Sequence, residues 1–225
     1  MKRRWLKLRR FRTSRRKLEE PYREFVHHPL PSASAVFRNT EFVSLDIETT
    51  GLDAATAGML SVGWVHIRDG KVDLATAESH IVRHSSGVGE SAAVHGLTDT
   101  IVESGVDWTV VLDKIIVALT GRVLLVHHAG LDKLLLDRFC KRRYGAPLLV
   151  PVVDTLALEQ RRQQRKHHID EQKSLRLAEL RSRYQLPRYN AHDCLVDAIA
   201  TAELLIAMVA HNGGAASTRL RALCV

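Results

Sequence analysis

The chain lacks the features that mark several large protein classes. It has three cysteines in 225 residues, Cys140, Cys194 and Cys224, with no paired spacing among them. That sets aside a zinc knuckle and a disulfide frame, and it fits reduced thiols in a cytoplasmic protein. No run approaches the roughly 20 apolar residues needed to span a bilayer, so no transmembrane segment is expected. The charged start has no apolar stretch behind it, which argues against a secretory signal. There is no internal repeat. Acids are scarce at one end: residues 1–20 hold ten Lys or Arg and two Glu, a surplus of eight, which equals the net charge of +8. Residues 21–225 hold 23 of each sign and are neutral. A basic arm on a neutral body is the consequence.

Three units are expected: a basic extension and linker over 1–37, a body over 38–212, and a tail over 213–225. The first contains the loose stretch Pro29-Leu30-Pro31-Ser32. Trp5, Leu8 and Phe11 have spacings that allow a short amphipathic helix. In the body, 41–48, 59–68 and 72–82 read as strands, the last two joined by the turn signal Asp69-Gly70. Helical periods follow over 107–119 and 131–143, with a short buried strand at Val123–Val126 between them. An apolar stretch, 148–153, leads into a helix from Asp154; two more helices occupy 174–184 and 193 to about 210. Three antiparallel strands followed by alternating helices and strands make an α/β fold with a mixed sheet and flanking helices.

The run Leu45-Asp46-Ile47-Glu48-Thr49-Thr50-Gly51-Leu52 carries the chemistry. Side chains alternate along a strand, so Asp46 and Glu48 share one face while Val43, Leu45 and Ile47 share the other. No Lys or Arg stands between Phe42 and Gly51. Buried carboxylates must be paired, protonated or bound to a cation, and an all-oxygen ligand set suits a hard divalent metal. On the strand alone, an edge strand with two solvated acids is the alternative. Asp132 lies in the first turn after a strand and a glycine bend, where a helix dipole alone favours an acid. Asp193 is a candidate N-cap, which puts His192 on the preceding loop and Asp197 in the first turns of an apolar helix. Alone, His192 reads as a polar loop residue. Together, four carboxylates from three elements can converge on the end of one sheet, a ligand set for two hard cations, with a histidine beside them as general base.

In this order of motifs the chain resembles the DEDD exonucleases of the histidine-bearing subclass, which include the proofreading epsilon subunit of DNA polymerase III. The resemblance covers roughly residues 40–210. It rests on Asp46-Ile47-Glu48-Thr49-Thr50-Gly51, on His192 with Asp197 five positions later, and on His95-Gly96-Leu97-Thr98, similar to the family's His-Gly-Ile-Thr segment. The second motif departs: His127-His128-Ala129-Gly130-Leu131-Asp132 keeps the aspartate but has His128 for the usual Asn and Leu131 for the usual Phe.

The resemblance implies a ribonuclease H-like five-stranded sheet, three strands antiparallel and then parallel ones. It implies 3′-to-5′ hydrolysis of a terminal phosphodiester to 5′-mononucleotides, with two Mg²⁺ or Mn²⁺ ions held by Asp46, Glu48, Asp132 and Asp197 and with His192 as base. Thr49, Thr50, Gly51, Leu52, His95, Leu97 and His128 are expected against the terminal nucleotide. The expected partner is a nucleic-acid 3′ end, single-stranded for preference and DNA rather than RNA. RNA trimming and a catalytically silent nucleic-acid-binding module are the competing readings. The arm has three readings: a grip on the phosphate backbone, contact with a protein partner or another acidic surface such as anionic lipid, or an Arg-rich organelle-targeting segment.

Overall fold

The computed structural model describes residues 2–51, 53–84, 102–165, 174–190 and 192–224. Five strands form one sheet: β1 (Phe42–Thr49), β2 (Met59–Arg68), β3 (Lys71–Ile81), β4 (Val123–Val126) and β5 (Val152–Asp154), in the order β3-β2-β1-β4-β5. β1 pairs antiparallel with β2 and parallel with β4; β2–β3 is antiparallel and β4–β5 parallel. This is the mixed α/β sheet expected, three antiparallel strands followed by parallel ones. β1 is therefore the central strand. The edge-strand reading fails on that order; at Asp46 and Glu48 themselves only β2 is paired, and Glu48 is buried.

The described helices are α1 (Lys2–Ser14), α2 (Tyr22–His27), α3 (Trp108–Leu119), α4 (Asp132–Tyr144), α5 (Thr155–Arg165), α6 (Leu177–Arg183), α7 (Cys194–His211) and α8 (Leu220–Leu223). The stretch 148–153, read as merely apolar, ends in the short strand β5.

The two faces of β1 take opposite partners, as its alternation requires. Val43, Leu45 and Ile47 join a core cluster with Val111, Leu112, Ile115 and Ile116 of α3 and Leu135 and Leu136 of α4. Phe42 joins the second cluster with Ala202, Leu205 and Val209 of α7. By length and composition α7 could cross a bilayer. Its buried residues instead pack on the sheet, where β2 and β1 are its main partners.

Both flanks of residues 38–212 pack onto them. Tyr22, Phe25 and Val26 of α2 lie in the α3/α4 cluster, while Leu220 and Leu223 of α8 lie in the α7 cluster. Arg10 of α1 is buried. Its guanidinium donates to the carbonyls of Leu149 at 2.7 Å and His28 at 2.8 Å, and to that of Phe25. Burial lowers its pKa to about 10, so it stays charged at neutral pH. The arm is a docked helix. Its anchor, the segment around Leu149, leads into the N-terminal ends of β5 and β4, where Leu124 N–H donates to Pro151 O at 3.0 Å.

Candidate active site

A cleft of about 180 Å³ opens where β1 and β4 end and α4 and α7 begin; Asp46, Glu48, Asp132, His192 and Asp197 all line it, with His127, His128 and Leu131. β1 supplies Asp46 and Glu48 from its α7 face. One oxygen each from Asp46, Glu48 and Asp197 can be chosen so that all three lie within 4.8 Å of one another.

Two local features bring Asp197 to β1. Asp46 stands opposite Gly63 on β2. A Cβ at Gly63 would lie 2.4 Å from the Leu195 nitrogen and 2.5 Å from its Cα, so only glycine lets the first turn of α7 rest on the strand. The buried Ser44 hydroxyl then donates to Ala198 O at 2.7 Å and ties that turn to β1. Asp193 caps α7 as expected, accepting from the Leu195 and Val196 N–H groups. The preceding residue, His192, has φ +72° and is exposed at the cleft mouth. Its backbone N–H donates to Asp197 Oδ2 at 3.0 Å, so histidine and aspartate are held as a unit.

Asp132 reaches the cleft through a turn that a fifth acid organises. The Asp154 carboxylate, at the end of β5, accepts from His128 N–H at 3.1 Å, Ala129 N–H at 2.9 Å and Leu156 N–H at 3.0 Å. It caps α5 and pins the β4–α4 turn in one act. His128 takes φ +93° there, a left-handed conformation that costs a non-glycine residue energy and is kept because the turn is pinned. His127 is structural: its Nε2 meets Leu175 O at 2.9 Å and its Nδ1 meets Thr155 Oγ1 at 2.7 Å, and burial lowers its pKa.

The electrostatics are one-sided. Burial lifts the Glu48 carboxyl to about 7, with Asp197 and Asp193 adding to it. Burial, then the charges of Asp154 and Glu48, lift Asp132 to about 8. Asp46 is raised well above the carboxylate range by burial and by Asp132, Glu48, Asp197 and Asp193. Asp197 is raised by burial, against its bond from His192. Among the described residues, cations act against the rise only at Asp197, through His192 and Arg181; Asp46, Glu48 and Asp132 have acids as their charged neighbours. Clustered hard oxygens in that state fit divalent metal, which replaces the protons with charge.

The remaining sequence expectations divide. His128 lines the cleft. The Thr49 hydroxyl donates to Gly51 O at 2.7 Å, and Thr50 Oγ1 accepts from Gly58 N–H at 2.8 Å, so both hydroxyls brace the β1–β2 loop. Gly51 belongs to that loop. Leu52, His95 and Leu97 lie outside the described residues. Sequence reasoning missed Asp154, Gly63 and the contribution of Asp193 to the site's charge. A glycine inside an apolar strand was the available signal for the second, and an acid between an apolar stretch and a helix for the first.

Comparison with known proteins agrees with the motifs. The family model RNase_T, described as exonuclease, matches residues 43–205. The chain belongs to this exonuclease family. The DNA polymerase III PolC-type protein of Thermotoga petrophila is 28% identical over 180 residues, which are 79% of this chain and 12% of that protein. The PolC-type protein of Caldanaerobacter subterraneus is 28% identical over 169 residues, again 12% of its length. The chain thus spans about an eighth of the curated relatives it matches. Among solved structures, E. coli exonuclease I in complex with a dT13 oligonucleotide superposes with a TM-score of 0.64 at 17% identity, over 74% of this chain and 40% of that one. Exonuclease X in complex with 5′ overhanging duplex DNA gives 0.57 at 22% identity, over 81% and 99%. At these identities the likeness shows the fold, and it is the ribonuclease H-like one expected.

Proposed function

We propose that this exonuclease removes nucleotides from the 3′ end of single-stranded DNA by metal-dependent hydrolysis, releasing 5′-mononucleotides. The observation that carries the reading is the cleft itself, where the oxygens of Asp46, Glu48 and Asp197 cluster within 4.8 Å and Asp132 faces them. The named complexes of exonuclease I and exonuclease X hold DNA, which favours DNA over RNA.

In this reading Asp46, Glu48, Asp132 and Asp197 hold two Mg²⁺ or Mn²⁺ ions. Bound there, the ions supply an activated water and neutralise charge on the phosphate and on the leaving 3′ oxygen. His192, at the cleft mouth, takes the proton of the attacking water; imidazole is the side chain whose ordinary titration range suits that role. The His192–Asp197 hydrogen bond fixes the base relative to the acids. Leu131 and His128 border the end of the cleft where the terminal nucleotide would sit. The exposed cations Arg4, Lys7 and Arg12 of α1, with Arg15 just after it, form an outer contact for the phosphate backbone. That contact would lie at the sheet end opposite the cleft and would meet parts of the substrate remote from the scissile bond.

The test is incubation with 3′-labelled single-stranded DNA and RNA, with and without excess chelator, for the parent protein and for Asp46→Ala and Asp197→Ala. The expected result is mononucleotide released from DNA by the parent alone, stopped by chelator and restored by Mg²⁺ or Mn²⁺. Turnover in either folded variant, or in chelator, would reject the assignment. Binding without turnover by the metal-loaded parent would favour the silent module.

A further inference from the structure

A second cavity, of about 600 Å³, lies at the other end of α7. Its lining includes Asn212, fifteen residues beyond Asp197 and so about 22 Å away along the helix at roughly 1.5 Å per residue. Five arginines line it: Arg161, Arg162 and Arg165 of α5, and Arg219 and Arg221 beside and within α8. Among the described residues no Asp or Glu lines it. Among the described residues only one of the five forms an ion pair, Arg162 with Glu159 at 3.5 Å. Arg161 is turned on the carbonyls of Cys224 and Leu223 at 3.3 and 3.4 Å. Part of the floor is apolar, formed by Leu158, Met208 and Leu223.

Arg165, Arg219 and Arg221 are exposed and Arg161 and Arg162 half-buried, so solvent screens part of their mutual repulsion and an anion bound among them would relieve the rest. Guanidinium presents a planar fork of donors that matches phosphate oxygens two at a time. The volume lies in the range of small-molecule sites, about 300–1,000 Å³, and an apolar floor under a cationic rim suits a ligand with a flat ring at one end and phosphates at the other.

We propose that this pocket binds a nucleotide through its phosphates, either as a free nucleoside phosphate or as an internal segment of a nucleic-acid strand. The inference stands apart from catalysis, since the pocket shares no residue with the cleft. A stacked strand advances about 3.4 Å per phosphate, so one reaching from the cleft to the pocket needs six or seven nucleotides.

The test uses the full chain in excess chelator, where the acid cleft repels anions. Binding of dTTP is measured by calorimetry and binding of fluorescein-labelled dT20 by anisotropy. Four proteins are compared: the parent, Arg165→Glu/Arg221→Glu, Arg219→Glu, and Lys71→Glu/Lys141→Glu as a charge-matched control on exposed residues elsewhere. The expected result is that the Arg165→Glu/Arg221→Glu variant binds at least one probe tenfold or more weakly, with Arg219→Glu in the same direction and the control within threefold of the parent. Loss of dTTP binding identifies a free nucleotide as occupant; loss confined to dT20 identifies the strand. If the parent binds neither probe, or if the pocket variants weaken binding no more than the control, the proposal is overturned.

Discussion

Replacing Glu48 by glutamine should stabilise the metal-free protein, and only above a definable pH. In an unfolded chain this carboxyl titrates near its ordinary value of 4.5; in the fold, burial and the neighbouring acids lift it to about 7. Between those values the folded protein holds the proton more tightly than the unfolded chain does. Stability therefore falls as pH rises through that window, and the full cost is present above the folded value. The gap converts to on the order of 3 kcal/mol, at about 1.4 kcal/mol per pH unit. Glu48 is 8% exposed, so solvent screening relieves little of it. For a chain of this length each kcal/mol moves the melting temperature by roughly 2–4 °C, so Glu48→Gln should melt about 6–12 °C above the parent in chelator at pH 8.5. Near pH 5 the parent's Glu48 is protonated in the fold and the two should melt close together. Adding Mg²⁺ at pH 8.5 should raise the parent and leave the variant behind, since it has lost a ligand. Differential scanning calorimetry at the two pH values, with chelator and with metal, reads all four cases. If Glu48→Gln is no more stable than the parent in chelator at pH 8.5, these carboxylates are not held together against their charge, and the reasoning fails.

Other substitutions test how the cleft is held. Gly63→Ala places a methyl group against the Leu195 backbone; it should cost about 1–3 kcal/mol in denaturant melts. Because Asp197 moves with that turn, the rate of hydrolysis should fall by roughly 100-fold. Asp154→Ala removes the acceptor shared by His128, Ala129 and Leu156; a loss of about 3 kcal/mol is expected, with hydrolysis reduced although the residue lies outside the cleft lining. Arg10→Ala should free α1, seen as faster amide exchange over residues 2–14, while hydrolysis of a trinucleotide is unchanged.

The parts of this fold legible in the sequence are those written by local rules. Alternation along 42–48 places Asp46 and Glu48 on one face whatever that face meets, and Asp193 announces a helix start by its position before an apolar run. The convergence of Asp132 and Asp197 with that pair was inferred from motif order and is realised in one cleft. What escaped were groups whose role depends on a distant segment. Asp154 looks like an ordinary cap until the β4–α4 turn is seen donating to it. Arg10 is one of ten cations in the arm, and nothing local distinguishes the one that is buried. Thr49 and Thr50 look free to meet substrate in sequence, because a loop that closes through their hydroxyls leaves no periodic mark.

One helix joins the two charged sites, and its direction matters. The acids of the cleft lie at the N-terminus of α7, where exposed backbone N–H groups favour negative charge. The arginine pocket lies at the C-terminus, where carbonyl groups favour positive charge. The helix is oriented to ease both clusters at once. The help is small, though, typically about 0.3–1 kcal/mol for each charge near an end. Keeping Glu48 alone ionised costs on the order of 3 kcal/mol by the reckoning above, and the raised carboxyls of Asp46, Asp132 and Asp197 add to that. The dipole therefore lowers the cost of the acid cluster without removing it, and the residual strain is relieved only when charge of the opposite sign arrives from solution.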